Sequence, residues 1–126
     1  MQPEDLRYTN THEWVRSEGN LATVGITDHA QSELGDVVFV ELPAVGASIH
    51  AGDVIGTIES VKTVSDIIAP VSGKVVEVND ELPDTPEKVN ENPYGTGWMM
   101  IVQMEDPSEP NDLMTAEQYW QFIQER

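Results

Sequence analysis

The stretch Val54-Ile55-Gly56-Thr57-Ile58-Glu59-Ser60-Val61-Lys62-Thr63-Val64-Ser65-Asp66-Ile67-Ile68 carries two β-prone runs, Val54 to Ile58 and Val64 to Ile68, with a lysine between them. β-branched side chains favour extended backbone, and two such runs this close predict a hairpin with Lys62 near its tip. A tip lysine has a stem free of packing and an amine in water, within reach of another enzyme. The chain has only three lysines, Lys62, Lys74 and Lys88, so one in this place is the first functional candidate. The plainer reading is a solvated turn lysine flanked by Glu59 and Asp66.

Outward from the hairpin, the pattern stays β. Leu21 to Ile26, Asp36 to Leu42, Lys74 to Val78 and Trp98 to Met104 read as strands, with a shorter one around Glu13-Trp14-Val15. The continuous apolar middle of Val37-Val38-Phe39-Val40 predicts burial on both faces. Turns at Glu18-Gly19-Asn20, Pro43 to Gly46, Ala51-Gly52-Asp53 and Pro70 to Gly73 separate short strands, as in a sandwich or small barrel. The segments Gly46 to Glu59 and Ile67 to Asp80 are loosely alike, which suits a quasi-symmetric sandwich with the hairpin at its junction. Gly52, Gly73 and Gly97 read as turn glycines.

Two helices are predicted. Asp28 as N-cap, Gln31 three residues on and Gly35 as a stop define a short helix near 28–34. Thr115 with Gln118 forms a capping box, and Met114 against Tyr119 a staple, for a second helix near 115–124. Its Tyr119, Phe122 and Ile123 share one face, which should pack on the sandwich. Asn79 to Asn92 reads as a polar loop with one helical turn. With 126 residues and no linker, the chain is expected to form a single domain, 1–126.

The formal net charge is -17, from 23 acidic and 6 basic residues. Nucleic acid and anionic membrane surfaces repel such a chain, whereas partners with basic patches attract it. Strong like charge also opposes self-association, so a monomer is expected. There is no cysteine, hence no disulfide, thiol nucleophile or thiolate metal site. Any redox chemistry must come from something bound or attached. Met1-Gln2-Pro3-Glu4-Asp5 resembles neither a secretory signal nor a transit peptide, as in a cytoplasmic or a mature organellar protein, and the initial Met favours the cytoplasm.

Enzyme readings fail on inventory. His12, His29 and His50 lack a second ligand at helical or strand spacing, so no metal site is expected. Gly95-Thr96-Gly97 lacks the lysine and helix of a phosphate loop. Ser32, Ser60, Ser65 and Ser72 lack the glycines of a nucleophile elbow.

The tip Glu59-Ser60-Val61-Lys62-Thr63-Val64-Ser65-Asp66 resembles the lipoyl-lysine hairpin of glycine cleavage system H proteins. So do His12-Glu13-Trp14-Val15, Val24 to Gln31, Leu34 to Pro43, Ala69 to Gly73, Val89-Asn90 and Asn92 to Trp98, in that family's order. The likeness covers essentially the whole chain. Thr63, where alanine is common, and Lys88, in a usually more apolar segment, are small departures.

The resemblance implies a mainly β, lipoyl/biotinyl-type flattened β-barrel sandwich (the hybrid motif). It implies a non-catalytic carrier with lipoic acid joined to Lys62 by an amide. The arm then accepts the aminomethyl group of glycine from a pyridoxal-phosphate glycine decarboxylase and passes it to a tetrahydrofolate-dependent aminomethyltransferase. A flavin dihydrolipoamide dehydrogenase reoxidises it, and a lipoate ligase or lipoyl/octanoyl transferase attaches it. Glu59, Ser60, Val61 and Asp66 become candidates for hairpin recognition, with the two acids guiding partner docking.

A dithiolane carrying a cationic amine gains by lying in a cleft with a carboxylate near the amine. Glu13 is the candidate for that contact, against a plainer role as a strand-edge acid. Biotin carrier domains share the hairpin but usually flank the lysine with methionines, where this chain has Val61 and Thr63. Lipoyl domains of 2-oxoacid dehydrogenases, a lipoyl relay protein and an unmodified interaction module are the other rivals.

Overall fold

A computed structural model of the protein describes residues 5–124. Residues 1–4, which hold most of the expected signal-free N-terminus, lie outside them, as do 125–126 at the end of the expected domain.

Among the described residues nine strands and three α-helices follow in the order β1 Arg7–Tyr8, β2 Glu13–Glu18, β3 Leu21–Ile26, α1 Asp28–Leu34, β4 Val37–Glu41, β5 Ser48–Ile49, β6 Val54–Ser60, β7 Val64–Ile68, β8 Gly73–Val78, α2 Lys88–Glu91, β9 Met100–Met104 and α3 Ala116–Gln124, with a 3-10 turn at Glu109–Asp112 before α3. They form two antiparallel sheets: six strands in the order β1-β2-β3-β9-β8-β5, and three in the order β4-β6-β7. One apolar cluster joins Val24, Val75 and Val102 of the larger sheet to Val40, Ile58 and Ile67 of the smaller. Face-to-face packing of the sheets follows, and each fully buried valine or isoleucine contributes roughly 1.5–3 kcal/mol. This is the mainly β sandwich the turn spacing predicts.

The hairpin β6–β7 lies in the smaller sheet, with Glu59 opposite Val64 and Thr57 opposite Asp66. Its register places Ser60 to Thr63 in the connecting turn. β8 shows why small residues recur at the turns. A Cβ on Gly73 would fall 2.1 Å from the Gln103 carbonyl oxygen, so only glycine lets β8 approach β9 there.

Four expectations change. β4 is not buried on both faces: Val38 and Phe39 are 48% and 47% exposed. A bulge between Val37 and Phe39 turns Val38 and Phe39 outward, and none of the described residues covers the outer face of the smaller sheet there. The N-cap of α1 is Thr27, whose Oγ1 accepts from Ala30 N at 3.1 Å; Asp28 begins the helix. Thr27 is extended (ψ 165°), as a cap must be. The last strand begins at Met100, two residues later than its apolar run. β1 and β5, two residues each, are too short for alternation to mark them.

A second cluster of Leu6, Tyr8, Trp14, Ala116 and Tyr119 seats α3 on the β1–β2 end of the larger sheet. Tyr8 and Tyr119 stack with ring centroids 4.8 Å apart. The capping box closes as expected, with Thr115 N donating to Gln118 Oε1 (2.9 Å) and Gln118 N to Thr115 Oγ1 (3.2 Å). No helix of the described residues is long and apolar enough to cross a membrane.

Candidate functional site: the Lys62 tip and the Glu13 cleft

The tip is a four-residue turn closed by Ser60 N donating to Thr63 O at 2.8 Å. Ser60 is 5% exposed, and its side chain points into the turn. Its Oγ accepts from Lys62 N (3.3 Å) and Thr63 N (3.1 Å) and donates to Thr63 O (3.3 Å). The hydroxyl thus shapes the turn from inside. Val61, at 71% exposure, is left on the surface beside Lys62. Val61 N donates to Asp36 O at 3.0 Å, which ties the tip to the α1–β4 junction.

That junction is held by Asn90, a residue to which the sequence assigned no role beyond its place in a block. Asn90 Nδ2 donates to Gly35 O (2.8 Å) and Gln31 Oε1 (3.0 Å), while its Oδ1 accepts from Val37 N (2.9 Å). One amide therefore clamps the end of α1, the start of β4 and, through Asp36, the tip. No periodicity signals such a clamp; only the asparagine opposite a helix-terminating glycine hints at it.

Lys62 is exposed, but its stem is not free of packing as expected. A Cβ on Gly35 would lie 3.5 Å from Lys62 Cε, so the stem rests over the end of α1. Gly35 has φ 79°, the left-handed region that glycine enters freely. Among the described residues Lys62 makes no ion pair, and the Glu59 and Asp66 carboxylates, both exposed, make none either.

Beside the hairpin a cleft of about 340 Å³ opens between the Thr11–Glu13 segment and the outer strand β7, lined there by Thr63 to Asp66 and floored by Ile58. Glu13 is in its wall and is 1% exposed. This is not the position of a strand-edge acid. Its Oε1 accepts from Thr9 Oγ1 at 2.7 Å and from Thr11 Oγ1, and its Oε2 from Ile68 N at 3.2 Å. Burial pushes the carboxyl above its usual range, against the pull of the bonds from Thr11, Thr9 and Ile68. Oε2 takes one donor, the Ile68 amide, and so has acceptor capacity to spare.

His50 is exposed, 3.7 Å from Asp53 Oδ2, whereas His12 and His29 pack against each other and their neighbours. His12 stands in the cleft wall with φ 73°, its Nδ1 2.7 Å from Tyr119 Oη, which also lies 2.8 Å from Thr27 Oγ1. Its ring centroid is 5.0 Å from that of His29, whose Nε2 is 2.9 Å from Glu33 Oε1. The bond to Tyr119 links α3, α1 and the Glu13 segment at a single hydroxyl.

The family model described as Glycine cleavage H-protein matches residues 6–126. The chain belongs to the glycine cleavage H-protein family. It is 62% identical over 123 residues to a glycine cleavage system H protein of Rubrobacter xylanophilus, covering 98% of this chain and 95% of that one. It is 59% identical over 123 residues to the H protein of Bacillus subtilis, covering 98% and 97%. The crystal structure of a glycine cleavage system H protein from Mycobacterium marinum superposes with a TM-score of 0.89 at 42% identity, covering 97% of this chain and 98% of that one. Proteins of this family carry lipoic acid on a lysine, and the carrier role follows from the family. The flattened sandwich expected from the resemblance is the fold observed.

Proposed function

We propose that Lys62 is the lipoyl-bearing lysine and that the whole chain works as one non-catalytic carrier in glycine cleavage. The observation that carries this reading is an exposed, unpaired amine on a hydrogen-bonded tip, next to a cleft that contains a buried carboxylate. Lys62 would hold the group through an amide, and the cleft, at about 340 Å³, suits a small ring on a short chain. When attached, a lipoyl group supplies the dithiolane that takes up the aminomethyl fragment of glycine, sulfur chemistry that a chain without cysteine lacks.

The chain's own residues do the positioning. Ser60 and the Val61–Asp36 bond hold the turn, and Asn90 holds the segment behind it. Glu13 supplies an acceptor in the cleft wall for an ammonium or amine proton, and the buried Ile58 gives the floor an apolar surface for the ring end. Thr9, Thr11 and Ile68 N orient that carboxylate, so it loses little freedom when a cation arrives. Glu59 and Asp66 are exposed on the hairpin, where a partner reaching the tip meets them.

The partners of such a carrier are a pyridoxal-phosphate glycine decarboxylase, a tetrahydrofolate-dependent aminomethyltransferase, a flavin dihydrolipoamide dehydrogenase, and the ligase or transferase that modifies Lys62. The setting is the cytoplasm, and the working form is a monomer. Tethering makes each transfer a high-local-concentration event.

Expression with lipoate available, followed by intact-mass analysis and peptide mapping, tests the assignment. A lipoyl increment on Lys62 supports it. A biotinyl increment, or no increment in the presence of a competent ligase, overturns it.

A further inference from the structure

The outer face of the smaller sheet is uncovered, and its composition is uneven. Phe39, Glu59 and Val64 are register partners in one row across β4, β6 and β7. The bulge adds Val38 to one side of this row, and the turn adds Val61 at its end. Val38, Phe39, Val61 and Val64 are 48%, 47%, 71% and 62% exposed. Four of the nine large apolar side chains that the described residues expose thus lie in or beside this row, at the tip end of the smaller sheet. The next row down is Glu41, Thr57 and Asp66. Glu59 stands within the strip, between Phe39 and Val64, while Glu41 and Asp66, with Asp36 at the junction, flank it, and none of the four has an ion pair among the described residues.

We infer that this face, the Val38–Phe39–Val61–Val64 strip with Glu59 inside it and Glu41 and Asp66 along its edge, is the landing surface for the enzyme that acylates Lys62. The inference rests on the reading of Lys62 as the modified lysine and adds the surface and the side of approach. A bulged strand that turns two apolar residues to solvent is costly unless something covers them, and patches of this kind mark contact sites. Unpaired carboxylates around it select a partner whose apolar surface is rimmed by Lys and Arg.

The acylating enzyme fits better than those that use the finished arm. Acylation makes the amide between Lys62 Nζ and an activated acyl carbonyl. The ammonium gives up a proton to a base, and the acyl carbon's bond to its phosphate or thiol leaving group breaks, the leaving group keeping the electron pair. The nitrogen must come within about 3–3.5 Å of that carbon, so the enzyme must close on the tip itself. An enzyme that receives the arm can dock further away. The stem of Lys62 lies over Gly35, and Val61 stays free for the partner.

The test is the steady-state acylation of the unmodified protein by a purified lipoate-attaching ligase with octanoate and ATP, read by mass. Phe39→Ser and Val64→Ser should each lower kcat/KM about tenfold, mainly through KM. Glu41→Lys should do the same, with a loss that shrinks in high salt. Val45→Ser and Val76→Ser, exposed valines elsewhere, should match the wild type. If Phe39→Ser proves unfolded by circular dichroism, Val64→Thr, which keeps the shape, replaces it and should show the smaller loss in the same direction. Octanoyl transfer at wild-type rates by the strip variants overturns the inference, as does an equal loss in the control valine variants. A sedimentation experiment showing that the strip seals a dimer of this chain overturns it too. Failure of the wild type to be acylated at Lys62 overturns the underlying reading instead.

Discussion

Ser60→Ala removes one hydroxyl from inside the Lys62 turn and leaves the rest of the hairpin in place. The Oγ bonds to Thr63 N, Lys62 N and Thr63 O are 3.1, 3.3 and 3.3 Å long. All lie at the long end of the hydrogen-bond range, so each belongs at or just below the bottom of the net 0.5–1.5 kcal/mol scale, at roughly 0.3–0.5 kcal/mol. Thr63 O keeps its bond from Ser60 N at 2.8 Å, and the two amides are at an exposed tip where water replaces the lost acceptor. The total is about 1 kcal/mol, which is about a fivefold change in the equilibrium for opening the turn. Amide hydrogen exchange at Lys62 and Thr63 should therefore speed up about fivefold, while amides in β8 and β9 stay protected. Unchanged exchange at both amides would refute the claim that the serine holds the tip.

Three further outcomes follow from the same geometry. Burial raises the Glu13 carboxyl above its ordinary 4.5, so the folded state binds a proton more tightly there than the unfolded chain does. That contribution to stability is complete below pH 4.5 and is lost as pH rises through the raised value, each tenfold gain in proton affinity on folding being worth about 1.4 kcal/mol. Glu13→Gln removes it, so the wild-type melting point minus the variant's should fall between about pH 4.5 and the raised value; a flat difference contradicts the assignment. Tyr119→Phe deletes bonds of 2.7 Å to His12 Nδ1 and 2.8 Å to Thr27 Oγ1 in a fully buried setting, and should cost about 1–3 kcal/mol in urea unfolding. A loss below a few tenths of a kcal/mol would show that this hydroxyl does not fasten α3. Gly73→Ala drives a methyl to 2.1 Å from the Gln103 carbonyl oxygen and should cost about 3 kcal/mol or more, visible as a large drop in melting temperature; a wild-type melt would contradict the close approach of β8 to β9.

The hairpin was legible because β-branched runs flank a polar turn, and that signal is local. The C-terminal helix was legible for the same reason, through Thr115, Gln118 and the face of Tyr119, Phe122 and Ile123. The outward turn of Val38 and Phe39 was not, since an apolar run looks the same whether a sheet is covered or bare. The cap shifted by one residue because Thr27 and Asp28 are both good caps, and only the extended backbone at Thr27 decides between them. Burial of Glu13 depends on hydroxyls two and four residues before it and on an amide 55 residues later, a convergence that no spacing rule encodes. The role of Asn90 is likewise long-range, since its partners lie on the far side of the β6–β7 hairpin in sequence.

The most direct test of the central claim is glycine-dependent NADH formation in a reconstituted system. It contains the decarboxylase, the aminomethyltransferase, tetrahydrofolate and the dihydrolipoamide dehydrogenase, with this protein after ligase treatment. The wild type should sustain turnover, and Lys62→Arg, which keeps the charge and the tip but offers no acylatable amine, should give none above background. Sustained turnover with Lys62→Arg would contradict the account.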